Sequence, residues 1–241
     1  MTSNLDKKVA ELFEAGSHLG HKTNRVHPKA KKYIYSVENG VSIIDLTKTV
    51  PLFEKAKEFV KKEAEADKTM LVVATKKVST AFIAKLCKEK LIPFITLKWP
   101  AGLLTNFDMI SKNVKKLTAM KEAKDKGEWS KYVKHEQVNL QKELNKLERF
   151  YGGIEMMRKI PDFIFVVDIK KEKNAVKEST EMKLPIVAIA DTNVDPDIVD
   201  YPIPGNDDSA TSIEYFVKEI IETYSKSKAQ ASNDKANPKS K

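Results

Sequence analysis

A single cysteine, Cys87, occurs in 241 residues. It can close no internal disulfide, and its neighbours Phe82, Ile83 and Leu86 place it on the apolar stripe of a helix, so a reducing compartment is expected. Glycine is sparse as well. The eight that occur never compose G-x-G-x-x-G after a strand, G-x-x-x-x-G-K-S/T or G-x-S-x-G, which leaves a phosphate-cradling loop or an acyl-transfer nucleophile without its frame. No apolar run approaches the roughly 18 residues of a membrane-spanning helix, and the first residues lack an apolar signal core. A soluble, cytoplasmic protein is expected. Acid is in deficit: 34 Asp and Glu stand against 43 Lys and Arg, a formal charge of +9 that favours a polyanionic partner.

What is present is an alternation of strands and helices. Phe163 to Val167 and Ile186 to Ala190 are short, continuous, β-branched runs, as in strands covered on both faces, and Ala175, Val176, Ser179 and Met182 between them recur at helical spacing. A strand, a helix and a second covered strand make a right-handed βαβ unit. Upstream, Asp6 to Ala15 reads as an amphipathic helix, Tyr33 to Val37 and Val41 to Asp45 as a hairpin turning at Asn39-Gly40, and Thr47 to Ala66 as a helix. Met70 to Ala74, Ser79 to Lys90 and Phe94 to Leu97 follow as strand, helix and strand. The class is α/β, with a five-stranded, mostly parallel sheet and helices on both faces.

The alternation stops between Phe107 and Tyr151. Phe107, Ile110, Val114 and Leu117, then Val133, Gln137, Leu140, Leu144, Leu147 and Tyr151, follow heptad spacing and predict an antiparallel coiled-coil hairpin inserted into the sheet domain. Residues 1–104 and 152–225 are then the α/β domain and 105–151 the hairpin. The last helix is expected over Ser209 to Ser225, with 226–241 a disordered basic tail.

Charge is uneven along the chain. Gly16 to Tyr33 holds Lys22, Arg25, Lys29, Lys31 and Lys32, three histidines and no acid, whereas Thr180 to Asp208 holds seven acids and one base. A basic face and a separate acidic face are expected, with phosphate as the counter-charge of the basic loop. His18, His21 and His27 resemble a metal cluster, but the glycines among them argue against a helix and no cysteine accompanies them, and phosphate or base contacts within the basic loop suit them better. Thr75-Lys76-Lys77, after a strand and before a helix, could hold a phosphate, although no glycine lets the backbone wrap it. Asp168 reads as a cap or loop residue, Asp207 or Asp208 as the cap of the last helix, and Trp99 as a core residue at the hinge to the hairpin. Asp191, Asp207 and Asp208 together could hold a divalent cation at an acidic edge; no other cofactor is expected.

Four long stretches carry a family resemblance: LFEAGSHLGHKTNRVHPKAKKYIYSVENGVSIIDLTKT, KWPAGLLTNF, LERFYGGIEMMRKIPDFIFVVDIKKEKNAVKE and PIVAIADTNVDPDIVDYPIPGNDDS. Over nearly all of residues 5–225 the chain resembles the bacterial small-subunit ribosomal protein S-two family. The resemblance implies a flavodoxin-like domain with a protruding coiled-coil hairpin, and a structural role that catalyses nothing. It also implies 16S ribosomal RNA as partner, rather than DNA or a membrane. Neighbouring small-subunit proteins join it, and members of the family can dock the large protein S-one. Lys22, Arg25, His27, Lys29, Lys31, Lys32, Lys98, Lys112, Lys115, Lys116, Arg149, Arg158 and Lys159 are the expected RNA contacts. Pro100 and Ala101 depart from the family pattern and are expected to alter the path into the hairpin. The competing reading is a flavodoxin-like enzyme or sensor that holds a small anion at the strand ends, near Thr75, Asp168 and Asp191.

Overall fold

The structure, a computed structural model, describes residues 4–236. In chain order its elements are α1 (Asn4–Glu14), β1 (Leu19–Lys22), β2 (Ile34–Glu38), β3 (Val41–Ile44), α2 (Leu46–Glu65), β4 (Met70–Val73), α3 (Thr80–Glu89) and β5 (Phe94–Ile95). Then come α4 (Phe107–Asp125), α5 (Lys134–Tyr151), β6 (Phe163–Val166), α6 (Lys173–Glu181), β7 (Ile186–Ala190), β8 (Tyr201–Pro204) and α7 (Ala210–Ala236).

Five strands form one parallel sheet in the order β5-β4-β6-β7-β8. Every residue of β4, β6 and β7 is buried, which is why these strands read as unbroken apolar runs. Alternate side chains serve two cores. Met70, Val72, Phe163, Phe165, Val187 and Ile189 face α2 and α7, while Leu71, Val73, Ile164, Val166 and Ala188 face α6 and the base of the hairpin. Cys87 sits wholly in the first core, and burial pushes its thiol up to about 12.

Membership of the sheet differs from expectation at one edge. The Asn39-Gly40 hairpin does not join it; β2 and β3 pair with β1 in a separate antiparallel sheet of order β1-β3-β2. The fifth parallel strand is β8, Tyr-Pro-Ile-Pro, a sequence that reads as a breaker but is tolerated at an edge, where one side of the strand needs no donor. The tail also differs. The last helix continues to Ala236 instead of ending at Ser225, since alanine, lysine and glutamine extend a helix that is already nucleated without needing apolar contacts. Residues 237–241 of the expected tail lie outside the described residues.

The insertion is a helical hairpin built by α4 and α5. Ile110, Leu117 and Leu144 are buried between them, and Val114 and Tyr151 are partly covered. The seam is shorter than the heptads predict, because Val133 lies just before α5 and is 66% exposed. At the hinge, Trp99 is buried as expected, and its Nε1 donates to Glu178 Oε1 at 2.9 Å. The same carboxylate accepts from the amides of Gly102 (2.9 Å) and Leu104 (3.1 Å), with Gly102 at φ +83° completing the turn that follows Pro100.

Candidate nucleic-acid interface and the acidic strand ends

The basic segment is not wholly a loop. Leu19–Lys22 is a strand, and Gly20 is required there, since a Cβ would lie 2.7 Å from Thr192 Cγ2. That approach lets the His21 amide donate to Thr192 Oγ1 at 2.9 Å and the His27 amide to the Thr192 carbonyl at 2.8 Å. The basic segment is thus bound along the segment that follows β7, and the two opposite charge blocks of the sequence touch instead of occupying separate faces. Lys29 Nζ lies 2.8 Å from Asp195, and Lys32 Nζ lies 2.7 Å from Asp197. Hydrogen bonds from these lysines hold both aspartates below the usual carboxylate range. His27 caps the turn beginning at Pro28 by accepting from the Lys29 amide.

This internal pairing sorts the predicted RNA contacts. Lys22, Arg25 and Lys31 are exposed and have no ion-pair partner among the described residues. Lys98, Lys112, Lys115, Arg149 and Arg158 are exposed and unpaired in the same sense. Lys116 is engaged by Glu143 and Lys159 by Asp162 at 3.1 Å, so these two, with Lys29 and Lys32, already have a local counter-charge.

The strand ends are crowded with charge. Lys76 Nζ sits 2.7 Å from Asp207, 2.8 Å from Asp208 and 3.0 Å from Asp168. Burial opposes its charge, but the hydrogen bonds to Asp207 and Asp208 outweigh it and raise the ammonium pKa. Asp207 moves the other way from its neighbour Asp208. Burial first, then the Asp168 and Asp191 charges, lift Asp207 to about 7 against the pull of Lys76, while the partly exposed Asp208 is held low by its hydrogen bond from Lys76. Asp168 also accepts from the Lys171 amide at 2.8 Å, the turn-capping role expected of it. Glu172, buried and raised for that reason, accepts from both the amide and the hydroxyl of Thr75.

A phosphate at Thr75-Lys76-Lys77 would therefore meet Glu172, Asp168 and Asp207, and the Thr75 amide and hydroxyl and the Lys76 ammonium are already taken by those carboxylates. The anion-binding reading of this edge fails on that geometry. The capping expectation is also corrected: Asn206, not Asp207 or Asp208, receives the turn amides, from Asp208 at 2.8 Å and Ser209 at 3.2 Å, because an uncharged amide serves beside carboxylates where a further charge would be repelled.

The expected cation ligands are rearranged too. Ligand atoms of His21, Asp191 and Asp208 lie within 4.8 Å of one another, while Asp207 is turned to Lys76. His21 Nδ1 is 3.1 Å from Asp191, and its Nε2 is 3.4 Å from Asp208. The hydrogen bond with Asp191 chiefly holds the imidazole pKa above its ordinary value, against some desolvation. Sequence spacing gave no sign of this trio, since His21 and Asp191 meet only through the contact between β1 and the end of β7.

Comparison with known proteins agrees with this architecture. The family model described as ribosomal protein S2 matches residues 12–227. A small ribosomal subunit protein uS2 of Helicobacter acinonychis is 42% identical over 214 residues, covering 89% of this chain and 87% of that protein. Those of Wolinella succinogenes and Campylobacter hominis are each 41% identical over 226 residues, 94% of this chain and 83% and 85% of theirs. With the flavodoxin-like strand order, the inserted hairpin and a match spanning most of its length, the chain belongs to the ribosomal protein S2 family.

Proposed function

We propose that the protein is a structural constituent of the small ribosomal subunit in the cytoplasm, acting in translation, and that it holds small-subunit ribosomal RNA through phosphate contacts. Family membership supports the role. The observation that carries the site is the division of the basic segment: Lys29 and Lys32 are neutralised within the protein, whereas Lys22, Arg25 and Lys31 stand exposed beside them with no ion-pair partner among the described residues. The internally paired lysines fix the segment, and the free cations meet the polyanion. Lys98, Lys112, Lys115, Arg149 and Arg158 extend the same chemistry toward the hairpin.

The test is co-sedimentation of the tagged protein with small subunits, followed by RNA binding at several salt concentrations. Replacing Lys22, Arg25 and Lys31 by Gln should lower the slope of log K against log salt by about 0.7 to 0.9 for each phosphate that is no longer neutralised. An unchanged slope would remove this segment as an anchor.

A second reading concerns the trio at the acidic edge. One imidazole and two carboxylates within 4.8 Å suit a divalent ion that accepts nitrogen and oxygen, zinc more than magnesium. His21, Asp191 and Asp208 would hold it, in place of the Asp191, Asp207 and Asp208 set. Zinc titration followed by calorimetry, with His21→Ala as comparison, tests this; equal uptake by both proteins would refute it. Neighbouring small-subunit proteins are the further partners. Docking of the large protein S-one beside this edge is tested by its retention on subunits carrying Asp191→Asn, where full retention argues against it.

A further inference from the structure

The two sheets have four edge strands, β1, β2, β5 and β8. Three of them are closed within the fold. β1 runs along Thr192, whose hydroxyl accepts from the His21 amide, β5 is only two residues long, and β8 is interrupted by Pro202 and Pro204. β2 has none of these devices. The pairing of β3 fixes which way the β2 backbone faces. The Ile44 amide donates to the His18 carbonyl on the β1 side at 2.7 Å, so by antiparallel alternation Ile43 and Val41 turn to β2, where their partners are Ser36 and Glu38. Val37 lies between these two, and its N–H and C=O point away from the sheet.

Among the described residues, no backbone group outside the sheet bonds Tyr35 or Val37. Their side chains are uncovered too, Tyr35 being 78% and Val37 53% exposed. Beside the strand lies a cavity of about 460 Å³ whose apolar wall is Val26, Ile34 and Val37. A free edge with exposed apolar side chains and an adjoining apolar groove is the arrangement that receives an added strand, with main-chain bonds for affinity and the groove for selectivity. The register shift between Ile34 and Ser36 breaks the regular repeat, which admits one short segment and discourages an open-ended stack. Glu38, at the turn end of β2, decides the chemistry of the occupant. It is exposed and has no ion-pair partner among the described residues. A phosphate there would be repelled and would offer acceptors alone, whereas a polypeptide answers both the N–H and the C=O of Val37 and can set a cation against Glu38.

We propose that the outer edge of β2 pairs with an extended segment of a neighbouring small-subunit protein, an apolar stretch that carries a lysine or arginine opposite Glu38. The inference rests on the reading that the protein is a constituent of the small subunit, and it leaves Lys22, Arg25 and Lys31 to the RNA.

The test is amide hydrogen exchange of the full chain in three states: free, bound to small-subunit RNA transcribed in vitro, and within purified small subunits. The Val37 amide should exchange freely in the first two and be slowed about 100-fold or more in the third. Equal slowing on RNA alone overturns the proposal in favour of an RNA contact, and slowing in the free chain that rises with its concentration overturns it in favour of a second copy. Free exchange within the subunit overturns it outright. Glu38→Lys sets like charge against the proposed cation, and in subunits it should cost about tenfold of the Val37 protection while the unfolding midpoint stays at its wild-type value, since Glu38 is exposed. Full protection in that variant counts against the named partner chemistry. Wild-type protein that never enters subunits would overturn the parent reading, and this one with it; entry with a freely exchanging Val37 overturns this one alone.

Discussion

Replacing Glu178 by alanine should release the root of the hairpin from the sheet domain. One carboxylate takes three donors there, the Trp99 indole and the amides of Gly102 and Leu104. Hydrogen bonds to a charged acceptor contribute about 1.5 to 3 kcal/mol each, which would sum to more than single substitutions usually cost. Glu178 is only half-buried, so water can reach part of the vacated site, and about 1 kcal/mol per donor is the better figure. The expected loss is about 3 kcal/mol. It should be local, because Leu103 and Leu104 stay buried by their own apolar contacts. The assay is amide exchange: about 3 kcal/mol corresponds to roughly 100-fold less protection at Gly102 and Leu104. Trp99→Phe removes a single donor and should show about a third of the free-energy effect. Wild-type exchange at both amides in the Glu178→Ala protein would refute the reasoning, as would a loss spread evenly through β4 and β6.

Three further outcomes follow from burial and space. Leu144→Ala, at a position 4% exposed, should cost about 2 to 5 kcal/mol in urea unfolding, and a cost under about 1 would mean that the hairpin closes the gap. The Cys87 thiol, buried and pushed up to about 12, should react with a thiol reagent at pH 8 only as fast as the native protein opens; labelling at the rate of a free thiol would contradict its place in the core. Gly153→Ala would set a Cβ 2.2 Å from the Phe94 carbonyl oxygen, backbone against backbone, and should lower the melting temperature by several degrees, whereas Gly127→Ala meets no neighbour and should cost only the strain of its φ of +71°.

The sequence makes β4, β6 and β7 legible because strands buried on both faces leave continuous β-branched runs, and the hairpin because its spacing changes from strand alternation to heptads. Two strands escape the same reading. Leu19–Lys22 is short and polar, and Tyr201–Pro204 carries two prolines that only its place at the sheet edge excuses. The site is legible by composition and not by contact. Lys29 and Lys32 look like the other cations of their segment, and only the fold brings Asp195 and Asp197 against them across more than 160 residues. Lys76 is the reverse case: it stands in a basic tripeptide, yet three aspartates from distant segments claim it. In both instances long-range pairing, which no local pattern encodes, decides which charges remain for a partner.

The two edges of the parallel sheet bear on the time the protein spends before assembly. An unpaired strand edge invites other chains to add to it, and such additions grow into aggregates. Here one edge, β5, is only two residues long and is closed by the approach of Gly153 to the Phe94 carbonyl. The other, β8, carries Pro202 and Pro204, which offer no backbone N–H to an incoming strand. A free molecule is thereby protected from polymerising through its sheet. Replacing either proline by valine would improve local strand propensity and, for the same reason, shorten the soluble lifetime of chains awaiting their RNA.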